Sequence, residues 1–140
     1  SGLNAEEAEA FRKFSEKNES LADQAASTVM ENSTTDEERL EALGVYWFLV
    51  FESQPKYPTG RQSQAALLLS RCRNLGVDID RDNPFEGLPD FERGFLKARR
   101  ESVRRFEQTG LKQWKHSPKW KKYCGVCKAE QELAQKVSIN

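Results

Sequence analysis

The sequence predicts an all-α fold: a single domain, residues 3–140, of about five helices packed as a bundle or in layers. Apolar residues recur at steps of three and four through most of the chain, the period of a helix with one buried face. Capping residues stand just ahead of these segments, and glycine or proline punctuates the stretches between them. Only five prolines and eight glycines interrupt 140 residues, and 37% hydrophobic content suffices for one modest core. Eight Phe, three Trp and three Tyr supply large apolar groups that disordered chains lack.

"NAEEAEAFRKFSEKNESLADQAASTVMEN" reads as a long helix capped by Asn4, with Glu6, Glu7 and Glu9 at the positive end of its dipole. Phe11, Phe14, Leu21, Ala25 and Val29 fall near one face, and "NSTT" breaks the helix. In "TDEERLEALGVYWFLVFESQ", Thr35 and Glu38 form a capping box, which predicts helix from Thr35 to Ser53. The run from Val45 to Phe51, taken alone, also fits a buried strand. The cap, and Leu40 and Leu43 leading into the run, decide for helix. Being apolar all round, it is predicted to be the central, most buried element.

"PKYPTG" is a proline-punctuated loop, and "RQSQAALLLSRCRNLG" a third helix with Leu68, Cys72 and Leu75 on one stripe and Gly76 as its stop. After the connection "VDIDRDNPFEG", Pro89 suits the first position of a fourth helix, "PDFERGFLKARRESVRRFEQTG". There Phe91, Phe95, Ala98, Ser102 and Phe106 line one side, Arg93, Lys97, Arg100 and Arg104 recur on the other, and Gly110 ends the pattern. A fifth helix is predicted from the cap Ser117, with Pro118 in its first turn, to about Val137.

Net charge is zero, yet residues 1–56 carry five Lys/Arg against twelve Asp/Glu and residues 57–140 carry 17 against 10. Such a dipolar chain has an acidic half that can cover the basic one or repel an anionic partner. The longest apolar run has seven residues, far short of the ~20 that cross a bilayer, so no transmembrane segment is expected. Three cysteines leave one unpaired if a disulfide forms, which mildly favours an intracellular, reducing compartment. Two sequons, Asn18-Glu19-Ser20 and Asn32-Ser33-Thr34, permit glycosylation if the chain is secreted.

Cys124-Gly125-Val126-Cys127 has the spacing of a redox dithiol, and the lysines around it would favour a thiolate. No βαβ pattern surrounds the pair, however, and it falls inside the predicted fifth helix, where buried small apolar fillers are the simpler reading. Cys72, His116, Cys124 and Cys127 would together complete a Cys3His zinc site, although their spacing is not that of a zinc finger. A disulfide from Cys72 to Cys124 or Cys127 requires the same proximity. Asp78, Asp80 and Asp82 match the first positions of a calcium loop, but Asn83 and Pro89 stand where glycine and glutamate are needed. No phosphate-binding loop, dinucleotide fingerprint, metalloprotease motif or Ser-His-Asp order is present.

From Phe91 to Tyr123 eleven basic residues face three acidic ones. The expected role is therefore non-enzymatic binding, in which a basic-aromatic surface meets an anionic partner, either nucleic acid or an acidic protein segment. Arg93, Lys97, Arg100, Arg104, Lys112, Lys115 and Lys119 supply attraction, and Trp114 and Trp120 supply contact area or stacking. The competing reading of the same pattern is a solvated helix back with Glu101 paired to Arg105 at i, i+4. A thiol-redox protein using Cys124 and Cys127, or a zinc- or disulfide-stabilised structural domain, is the alternative from a different class.

Overall fold

Four α-helices and no strand make up the described residues of the computed structural model, which are 4–52, 61–78 and 86–111. The first, α1 (Ala5–Met30), begins with a complete capping box. Asn4 Oδ1 accepts the Glu7 amide at 2.8 Å, and the Glu7 carboxylate accepts the Asn4 amide at 3.0 Å. Phe14, Ala25 and Val29 are buried, as their spacing requires, with Phe11 and Leu21 half-buried beside them.

No basic residue occupies the last turn of α1, so its terminal carbonyls are served from beyond the helix. Buried Arg39 donates Nε to the Val29 carbonyl at 2.8 Å and Nη2 to that of Glu31 at 2.7 Å. The Thr34 hydroxyl donates to the Thr28 carbonyl at 2.9 Å. A cation placed against the carbonyl end also complements the helix dipole.

Helix α2 (Asp36–Trp47) starts at Thr35, whose hydroxyl accepts the Glu38 amide at 3.2 Å and donates to the Glu38 carboxylate at 3.0 Å. It runs on into a π-helical turn, Phe48–Glu52, so the apolar run is helix and not strand. Phe48, Leu49 and Val50 are all buried. Three consecutive buried residues sweep most of the helix circumference, which requires packing on several sides.

Helix α3 (Arg61–Arg71) and a 3-10 turn, Arg73–Leu75, stop at Gly76, where φ of 84° lies in the left-handed region that glycine tolerates. Ala65, Leu68 and Cys72 are buried, and a polar cluster adds direction. Tyr46 Oη donates to Gln64 Oε1 at 2.8 Å, while Arg61 Nη1 donates to the same oxygen at 2.6 Å and to Asp23 Oδ1 at 2.7 Å. Residues of α1, α2 and α3 are thereby joined.

Helix α4 (Pro89–Gln108) carries Pro89 in its first turn, as predicted, and packs chiefly on α2, which in turn packs on α1. Gly44 and Gly94 lie at the crossing. A methyl group on Gly94 would sit 1.9 Å from the Glu41 carbonyl oxygen, and one on Gly44 would sit 2.1 Å from that of Phe91. The hydrogens in those places are directed at carbonyls across the interface, an arrangement suited to Cα–H···O contacts. Phe48 and Phe95 meet edge to face at 5.3 Å nearby. The predicted fifth helix lies outside the described residues. Among the described residues, no helix is long and apolar enough to cross a membrane.

Candidate binding surface

The two faces of α4 separate as their spacing predicts. Phe91, Phe95, Ala98, Ser102 and Phe106 are buried, and Arg93, Lys97, Arg100 and Arg104 are exposed. The basic row is not uniform, however. Arg93 Nε lies 3.2 Å from Glu41 Oε2, its Nη2 lies 2.5 Å from Asp90 Oδ1, and Lys97 Nζ lies 3.8 Å from Glu41 Oε1. Glu41 on α2 and Asp90 thus damp the positive potential over the first half of α4. Arg100 and Arg104, one turn apart farther along, have no acidic partner among the described residues.

The other two arginines of α4 turn toward the protein. Arg99 places its guanidinium carbon 4.6 Å from the centre of the Phe95 ring, a cation–π distance. Arg105 reaches across to α1, where Nη2 donates to Asn18 Oδ1 at 2.7 Å. Burial lowers the pKa of Arg105, partly opposed by the charge of Glu101. The i, i+4 pairing of Glu101 with Arg105 is therefore replaced by a link between helices. The first sequon is corrected by the same contact, since Asn18 is 2% exposed and engaged by Arg105, so a glycan there is incompatible with the fold.

Cys72 is fully buried, and among the described residues its thiol is free. Burial pushes its pKa up from 9.0 to about 11 despite the nearby Arg39 and Arg71, so the neutral thiol prevails at ordinary pH. No group of metal-ligating side chains occurs among the described residues. Lys112, Trp114, Lys115, His116, Lys119, Trp120, Cys124 and Cys127 lie outside them, as do Asp80 and Asp82.

Sequence reasoning missed the part played by Glu41, because the approach of α2 to α4 is set by two glycines far apart in the chain. It also missed a cleft of about 370 Å³ bounded by α1, α2 and α4. The signal for the first was available: Gly44 and Gly94 both fall inside strong helical patterns, where glycine costs about 1 kcal/mol relative to alanine unless close packing requires it. Comparison with protein-family models, with curated proteins and with solved structures returns no match.

Proposed function

We propose that this chain is a non-enzymatic helical binding domain that presents the outer face of α4 to an anionic partner, a nucleic acid or an acidic protein segment. One observation carries the reading: Arg100 and Arg104 form an exposed pair of guanidiniums at i, i+4 without acidic partners among the described residues. Arginine at that spacing suits phosphate or carboxylate oxygens, which a guanidinium binds through two parallel N–H donors. Arg93 and Lys97 extend the row, and release from Glu41 on contact with a stronger anion would bring them into play. The sequence that follows, with Lys112, Trp114, Lys115, Lys119 and Trp120, continues the same basic-aromatic composition.

The test is charge reversal at the free pair. Arg100→Glu/Arg104→Glu should keep the wild-type circular dichroism and thermal midpoint while weakening binding to a labelled single-stranded oligonucleotide, or to an oligo-glutamate peptide, at least tenfold. The probe that is affected identifies the partner class. Unchanged affinity for both, or no binding of either by the wild type, refutes the proposal.

A further inference from the structure

One side chain from another helix interrupts the row of cations on α4. Gly94 stands between Arg93 and Lys97 in the chain, and the backbone of Glu41 comes so near it that a methyl group there would sit 1.9 Å from the Glu41 carbonyl oxygen. The crossing of α2 over α4 thereby fixes Glu41 beside the turn that carries both cations. Its carboxylate divides between them, with Oε2 at 3.2 Å from Arg93 Nε and Oε1 at 3.8 Å from Lys97 Nζ. Asp90, three residues before Arg93 on the same helix, engages Arg93 alone among the described residues. Arg93 and Lys97 stand at i, i+4, the spacing of Arg100 and Arg104 farther along the same face. Helix α4 therefore presents two pairs of cations at the same spacing, and one of them already holds a carboxylate through both of its oxygens.

The contact is placed to be exchanged. The side chains of Arg93 and Lys97 are 55% and 56% exposed and that of Glu41 is 31% exposed. Ion pairs in such a setting are weak and screened by salt, whereas a buried, fully desolvated pair would resist separation. Glu41 nevertheless competes from a position of strength, because a group tethered beside its site acts at a high effective concentration. Once displaced, its charge stays close by and opposes the incoming anion. Both effects are strongest at Arg93 and Lys97 and weaken along α4 toward Arg100 and Arg104.

We infer that Arg93 and Lys97 form a second anion subsite on the outer face of α4, and that Glu41 occupies it in the free protein as an internal competitor that sets the affinity of that face. This inference rests on the reading of α4 as an anion-binding surface and adds how that surface is regulated. An anion that engages only Arg100 and Arg104 leaves Glu41 in place. One long enough to run along all four cations, about 16 Å of helix axis, must displace it.

The test titrates the full chain with the two probes of the α4 face, the oligo-glutamate peptide and the labelled single-stranded oligonucleotide. Glu41→Gln, which keeps the size of the side chain and removes its charge, should leave the circular dichroism as in wild type. It should tighten binding of the probe that the wild type holds by about threefold to tenfold. In an Arg93→Gln/Lys97→Gln background the same substitution should leave affinity unchanged, because the cations that Glu41 occupies are gone. Glu19→Gln, on the exposed side of α1, alters net charge equally and should shift affinity by roughly twofold at most. Equal tightening by Glu19→Gln, or by Glu41→Gln in the Arg93→Gln/Lys97→Gln background, overturns the inference, since net charge alone would then account for the gain. So does unchanged affinity in Glu41→Gln while Arg100→Glu/Arg104→Glu still weakens the probe, a result that leaves α4 standing as a binding surface. If neither the wild type nor Glu41→Gln binds either probe, the inference and the reading beneath it fall together.

Discussion

Arg39 does work in this fold that its position in an acidic first turn, "TDEERLEAL", does not advertise. Its guanidinium closes the carbonyl end of the preceding helix through two hydrogen bonds and lies 3.6 Å from Asp36. Hydrogen bonds from a charged donor contribute about 1.5–3 kcal/mol, more when the acceptors would otherwise be buried alone. Arg39→Met, which keeps the aliphatic stem, should destabilise the protein by roughly 2–3 kcal/mol in a denaturant titration. Cys72 makes a second prediction at this scale. Its folded pKa of about 11 lies above its ordinary 9.0, so the unfolded chain loses that proton first as pH rises. The stability contributed by the neutral thiol is complete below pH 9 and is lost between 9 and about 11. Cys72→Ala should flatten that part of the stability profile relative to wild type, and the native thiol should react with a maleimide near neutral pH only as fast as the structure opens.

At the scale of elements, the crossing of α2 over α4 is the tightest joint in the described residues. Alanine in place of glycine inside a helix ordinarily stabilises by up to about 1 kcal/mol. Here the added methyl would meet backbone oxygen at 1.9–2.1 Å, so the sign reverses. Gly94→Ala and Gly44→Ala should each cost at least about 2 kcal/mol, measured as a fall in the urea midpoint. A neutral or stabilising effect would mean that the helices do not cross there. Helix caps and faces were legible in the sequence because they are local: Asn4, Thr35, Pro89 and Gly76 act within one turn of where they stand. The apolar face of α4 was legible for the same reason. What the sequence hid depends on distant segments meeting. Glu41 is 52 residues from Arg93, and Asn18 is 87 from Arg105. No periodicity reports such pairs, so the basic row read as uniform when half of it is matched by acids.

Opposite charges are segregated along the whole sequence and, among the described residues, only partly matched in space. The acidic amino-terminal half reaches α4 chiefly through Glu41, leaving Arg100 and Arg104 unmatched among the described residues. Such a surface should hold a polyanion by displacing counterions, and its affinity should fall steeply with salt. The direct measurement is the slope of log affinity against log salt for a single-stranded oligonucleotide or oligo-glutamate, in wild type and in Arg100→Gln/Arg104→Gln. The wild type should show a clear negative slope and, on a nucleic acid, the variant one shallower by about 1–2, as two phosphate contacts are removed. A slope near zero in the wild type, or the same slope in both proteins, would contradict it.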